Sequence, residues 1–170
     1  VGTLQKQLLA SLLSPYFTTR LNVINVDAFA KERGIKVAQK TDLANSSVYD
    51  SVAVRLTTLD GYHEVVGEVG PDGLPRIMAI DGYQMNLVPE GPMVLIFNDD
   101  EPGVIGLVGT IFGTHKLNIA DMTLSRQAKT AMMVLKLDAP MPEDMLKALE
   151  SKKPPLNRVL PVTLPGLNGK

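Results

Sequence analysis

The sequence predicts an α+β protein in two parts: an antiparallel-sheet domain over residues 1–90, then a ferredoxin-like βαββαβ domain over residues 91–170. Three observations carry this expectation. Residues 51–88 alternate apolar and polar in short runs, with Asp60-Gly61 and Asp81-Gly82 between them. Asp-Gly between alternating runs is the strongest short hairpin signal, because a type I′ turn needs positive φ at both central residues. "PEGP" at 89–92 punctuates the chain and marks the expected domain boundary. Beyond it, strand and helix patterns follow as strand-helix-strand-strand-helix-strand within ~75 residues, the split βαβ order.

The elements read as follows. "LQKQLLASLL" sets Leu4, Leu8 and Leu12 on one helical face, with Leu9 and Leu13 beside it. Pro15 ends that helix, since the residue before a proline avoids the α region. "RLNVINV" alternates and predicts a strand. "DAFAKERG" predicts a short helix, with Asp27 as N-cap and Gly34 as C-cap. "IKVAQ" predicts another strand, and "KTDLANSS" a polar loop. The meander follows: "SVAVRLTTL", "YHEVVGEV", "LPRIMAI" and "YQMNLV", with "GPDG" turning the chain at 70–73.

In the second part, "MVLIF" is a continuous apolar run suited to a central strand. A helix over 102–115 comes next. "LNIADMTLSR" alternates Ala120, Met122 and Leu124 against Asp121, Thr123 and Ser125, which predicts one buried and one polar face. "TAMMVLKLD" places Ala131, Met133, Leu135 and Leu137 together. "PEDMLKALE" is a helix with acids in its first turn, where they complement the macrodipole. "LNRVLPVTL" is a last strand, and Pro161 assigns it to a sheet edge.

Composition narrows the functional classes. Of 170 residues, 45% are apolar but only 5% aromatic, so the core must be aliphatic. Parts of this size bury only about 60% of their unfolded surface and lean on a neighbour or an oligomer. The net charge of −1 and the lack of a basic block argue against nucleic-acid binding, which needs clustered cations. There is no cysteine, which excludes disulfides and thiolate metal sites and suits a reducing compartment. No apolar run approaches the roughly 20 residues of a membrane span. The N-terminal residues lack the basic-then-apolar order of a signal peptide. These features predict a cytoplasmic protein without membrane partners. The chain opens mid-pattern, without Met, as a fragment of a longer protein would.

The stretch "NDDEPGVIGLVGTIFGT" (98–114) raises the sharpest question about a site. Its glycines lack the G-x-G-x-x-G dinucleotide spacing, and no Lys-Ser/Thr follows them as in a P-loop. Gly106, Gly109 and Gly113 share one helix face, and each costs roughly 1 kcal/mol against alanine. A close approach of the helix to the sheet or to a partner would offset that cost. Pro102 suits the first helical turn, and Gly103 leaves the free amides open to an anion. Asp100, just outside, offers a place for a cation. A carboxylate binder and an ammonium binder within a few residues are what a zwitterionic amino acid requires. The alternative is that Asp99, Asp100 and Glu101 are solvated caps. Asn118 opens the strand after the helix, where the returning chain would set its amide toward the same ligand, or serves as a turn residue tolerating αL. His63 and His115 have no second ligand or nucleophile nearby, so neither a metal site nor a catalytic residue is assigned. Arg76 and Arg55 are scattered basics with the option of converging across the meander.

"FNDDEPGVIGLVGTIFGTHKLNIADMTLSR" closely resembles the amino-acid-binding ACT domain. "VINVDAFAKERGIKV", followed by "DGYQMNLVPEG", resembles the intervening domain of the D-3-phosphoglycerate dehydrogenase family. Together the resemblances cover residues 1 to about 165. They imply the regulatory and oligomerisation region of an enzyme of serine biosynthesis. Its NAD-binding and substrate domains, with their catalytic Arg, Glu and His, would lie upstream. They also imply homo-oligomer formation by ACT pairing, with L-serine or another small amino acid held between the pair. The effector-binding positions would be Asn98, Asp100 and Asn118, joining Gly103 from the reading of the helix start, with Asp100 taking the ammonium group. Asn98 departs from the His or Tyr of relatives. Some relatives bind an anion in the intervening domain. Arg76 falls at one such position, whereas Gln84 and Val88 replace a His and an Arg. Two other readings compete: an assembly module without effector binding, and the small subunit of an iron-sulfur L-serine dehydratase. The latter carries a Ser-rich segment ending in His, and "NSS" here has no His behind it.

Overall fold

A computed structural model describes residues 2–40 and 51–167. The chain divides into two compact units, Val1–Ser46 and Ser47–Lys170. No helix among the described residues is long and apolar enough to cross a membrane.

The first unit holds helix α1 (Gly2–Leu13), a 3-10 turn at Ser14–Tyr16 and helix α2 (Val26–Glu32). Leu9, Ala10 and Leu13 of α1 pack with Leu21, Val26 and Ala30, and Phe17 meets Phe29 edge to face at 5.3 Å. The buried stripe of α1 is therefore the one through Leu9 and Leu13. Leu4, Leu8 and Leu12 stay exposed. The strand expected over 20–26 does not form. Asn22 Oδ1 accepts the amides of Ile24 and Asn25, and Asn25 Oδ1 accepts the amide of Asn22. These side chains compete successfully for the backbone and set a turn instead. Asn25, not Asp27, is the N-cap of α2, and Asp27 sits in its first turn beside Lys6 at 2.7 Å. The helix ends with Arg33 as C-cap, one residue before the expected Gly34, which follows with φ +68°. The amides of Gly34 and Ile35 bond the carbonyls of Lys31 and Ala30, a Schellman closure. Residues 35–39 form no strand. The polar loop read over 40–47 falls almost wholly outside the described residues.

The second unit carries two four-stranded antiparallel sheets. The meander is β1 (Ser51–Thr58), β2 (Gly61–Val69), β3 (Pro75–Ile80) and β4 (Tyr83–Leu87), in that order. At Asp81-Gly82 both residues take positive φ, +49° and +83°, as the type I′ expectation requires. At the other Asp-Gly the two-residue turn is Leu59-Asp60, and Gly61 is the first strand residue, alone in positive φ.

The second sheet is β5 (Gly91–Asp99), β6 (Ile119–Gln127), β7 (Thr130–Leu137) and β8 (Leu156–Leu164), in the order β6-β7-β5-β8. Helices α3 (Val104–Thr114) and α4 (Glu143–Glu150) complete the βαββαβ order. Val104, Val108, Ile111 and Phe112 of α3, with Met145 and Leu149 of α4, bury one face of the sheet through Val94, Ile96, Met133 and Leu135. The opposite face is also buried. Tyr83, Met85 and Leu87 of β4 cover Met93, Met132 and Val134. Burial on both faces explains the unbroken apolar runs of β5 and β7.

It also corrects the reading of β6. Thr123 and Ser125 lie on the face toward β4, and Ser125 is buried, while Ala120 and Met122 are exposed. Ala120 is the extra residue of a bulge between Ile119 and Asp121. The helix register is corrected too. Pro102 precedes the N-cap Gly103 rather than opening the helix. Gly106, Gly109 and Gly113 face outward, and a Cβ added at any of them would meet nothing within 4 Å. The glycines therefore do not bring α3 close to its own sheet.

Candidate functional site

The site is built where β5 ends, the β6–β7 hairpin turns and α3 begins. On its β8 side, β5 breaks register between Phe97 and Asn98, so Asn157 is an extra residue there. Asn157 Nδ2 donates to Asp99 Oδ1 at 2.9 Å, and the Asp99 amide bonds Pro155 O. Asp99 is thus a structural acid that fixes the loop. Asn98 is 3% exposed. Its Nδ2 donates to the Asp99 carbonyl at 2.6 Å, and its Oδ1 is buried without a hydrogen-bond partner. A buried acceptor left unpaired costs about 1–3 kcal/mol.

The Asp100 amide bonds the Lys129 carbonyl, which ties the loop to the hairpin. Its carboxylate meets Arg126, with Nε 3.3 Å from Oδ1. Arg126 is 67% exposed and Asp100 26%, so the pair contributes only about 0–1 kcal/mol. Gly103 caps α3 in the left-handed region at φ +94°, with no side-chain cap on the helix amides. An open helix start of this kind favours a negative group.

Asn98, Asp100 and Gly103 lie along the one segment that joins β5 to α3, and Asn118 lies at the other end of the sheet. Asn98 pairs Ala131 at one end of β7, whereas Ile119 pairs Leu137 at the other. Those rungs are ~20 Å apart at the usual strand rise. The helix carries the chain across the sheet rather than back to its start. Asn118 Nδ2 instead donates to Asp138 Oδ2 at 2.8 Å. Sequence reasoning missed Arg126. The available signal was topological: β5 and β6 flank β7, so the end of β6 must return to the end of β5.

Arg55 and Arg76 do not converge. Arg55 pairs with Glu64 at 2.8 Å and lies over the Tyr62 ring at 4.5 Å. Glu64 holds the guanidinium pKa above its ordinary value. Arg76 bonds Asp72 at 2.5 Å and Asn86 at 3.0 Å. The β2 residues facing the two arginines, Glu64 and Glu68, are ~13 Å apart along the strand. Each cation already has an acidic partner, so the anion site expected there is not assembled. Among the described residues, no three or more His, Asp or Glu gather as a metal would need.

Residues 93–153 match the ACT domain family. This match and the βαββαβ fold define a regulatory region of the ACT class. Residues 1–81 match the D-3-phosphoglycerate dehydrogenase intervening domain. The chain is 33% identical over 140 residues to D-3-phosphoglycerate dehydrogenase of Synechocystis, covering 81% of this chain and 25% of that protein. It is 33% identical over 146 residues to D-3-phosphoglycerate dehydrogenase of Bacillus subtilis, covering 85% and 28%. For the Mycobacterium bovis protein of the same name the figures are 31% over 154 residues, 88% and 29%. The chain thus spans about a quarter of the length of these relatives. It belongs to the D-3-phosphoglycerate dehydrogenase family and corresponds to the C-terminal regulatory region.

Proposed function

We propose that this region senses L-serine, or another small amino acid, at a site completed by a second copy of the chain, and so regulates a D-3-phosphoglycerate dehydrogenase of serine biosynthesis. The observation that carries the reading is Asn98 Oδ1, a buried acceptor without a donor, two residues before Asp100 and on the same segment as the uncapped α3 start at Gly103. An ammonium or hydroxyl proton would satisfy that acceptor. Asp100 would take the ammonium charge, and the positive end of α3 adds a field that favours a carboxylate nearby.

The second copy is argued from Asn118. In one chain it lies too far away to share the ligand. The outer edge of β6 is unpaired among the described residues. Antiparallel pairing of two such edges centred on Met122 would set Asn118 of one copy opposite Arg126 of the other. It would also cover Met122, which is exposed. Allosteric couplings of this kind are typically about 1–3 kcal/mol.

Calorimetric titration of the chain with L-serine tests the reading. Saturable heat that Asp100→Ala abolishes or weakens tenfold is expected, and absence of heat with L-serine and with other small amino acids would sink it. The assembly-module reading is favoured by one observation, the occupation of Asp100 by Arg126. It wins if copies associate through β6 and no amino acid changes that association. Nicotinamide chemistry is left to other domains. The glycines of α3 lie on an outward helix face rather than in a strand-to-helix turn, so they do not fit a dinucleotide.

A further inference from the structure

We propose that Arg126 is the carboxylate receptor of the amino-acid site, and that the ligand enters as a zwitterion inserted into the Arg126–Asp100 ion pair. The inference rests on the amino-acid-sensing reading above and assigns a specificity residue to it.

The backbones of the two partners are held by hydrogen bonds, while the Arg126 side chain is exposed. Arg126 pairs Ala131 in the β6–β7 ladder, and the Asp100 amide bonds Lys129 O at 2.9 Å. The Arg126 side chain is largely exposed, and its Nε lies 3.3 Å from Asp100 Oδ1. Spreading the two side chains therefore needs no change of sheet register and little desolvation. A zwitterion between them leaves no charge unmatched, because guanidinium meets carboxylate and ammonium meets Asp100. Arginine suits that role, since its planar fork matches a carboxylate with two parallel hydrogen bonds. Asn98 Oδ1 supplies a second, independent pointer to a ligand, being a buried acceptor that lacks a donor.

The arrangement selects amino acids over amines. An amine without a carboxylate must compete with Arg126 for Asp100 and gives the displaced guanidinium nothing in return. An amino acid removes that competition by engaging Arg126 itself. The ion pair thus acts as an internal placeholder that only a ligand bearing both charges displaces favourably.

The test is an NMR titration of the 170-residue chain with L-serine and with ethanolamine, which keeps the ammonium and hydroxyl but lacks the carboxylate. Wild type, Arg126→Gln and Arg126→Lys are compared. Arg126→Gln should weaken L-serine binding by about tenfold or more while leaving ethanolamine binding unchanged or tighter, and Arg126→Lys should restore most of the L-serine affinity. Equal L-serine affinity in wild type and Arg126→Gln would overturn the proposal, as would parallel weakening of both ligands, which marks a structural role. If Asp100→Ala weakens L-serine and Arg126→Gln does not, only this proposal falls. If wild type binds no amino acid, the sensing reading falls with it.

Discussion

Replacing Gly109 by alanine should stabilise the protein. Gly109 lies mid-way along α3, in ordinary helical backbone, and an added Cβ meets no atom within 4 Å. Both usual penalties, a clash and a positive φ, are absent. What remains is the intrinsic preference, about 1 kcal/mol in favour of alanine. For a chain of this length that corresponds to a rise in Tm of about 2–4 °C. The assay is thermal and urea unfolding at matched protein concentration, followed by circular dichroism, because association would itself shift the midpoint. Extending the change to Gly106 and Gly113 should add to the gain, less at Gly113 near the helix end. A loss of stability with Gly109→Ala would refute the reasoning, since it would mean that the outward face is covered. If the face meets a second copy, the alanine variants should gain stability as monomers and lose association in sedimentation velocity.

Further expectations follow from the core and the turns. Phe112→Ala removes a 1%-exposed ring from between α3 and the sheet and should cost about 3–5 kcal/mol in the same unfolding assay. Asp72 accepts the Leu74 amide and is paired with Arg76, and these hold its carboxyl below the ordinary 3.8. A depressed folded pKa gives stability that is present above the unfolded value and lost as pH falls through the folded one. The 70–76 turn should therefore stay intact at pH 4 and loosen only in stronger acid. A carboxyl titration by NMR with its midpoint at or above 3.8 would contradict this.

Most of the second unit was legible because local and global signals agree there. Asp81-Gly82 satisfies a backbone need that few other residues meet, and the apolar runs of β5 and β7 report burial on both faces. The strand expected at 20–26 was misread because its alternation is genuine but weaker than the claims of Asn22 and Asn25 on the backbone. The buried Ser125 was illegible for another reason: the layer covering it comes from β4, far away in sequence. The site was legible in part. Asn98, Asp100 and Gly103 sit within six residues, so adjacency in the chain alone places them on the β5–α3 segment of the candidate site. Asn118 was misplaced by treating α3 as a return rather than a traverse, and Arg126 needed the strand order before it had a partner.

In the proposed arrangement one amino-acid site draws on two copies of the chain. Mixing Asp100→Ala and Asn118→Ala chains tests it most directly. Each variant alone breaks both sites of a pair. In a mixed pair one site carries both changes, while the other keeps Asp100 from one copy and Asn118 from its partner. Calorimetry should find little L-serine binding to either variant alone and recovered binding, at wild-type affinity but reduced stoichiometry, after mixing. Mixtures that bind no better than the separate variants, with exchange of copies verified, would contradict the account.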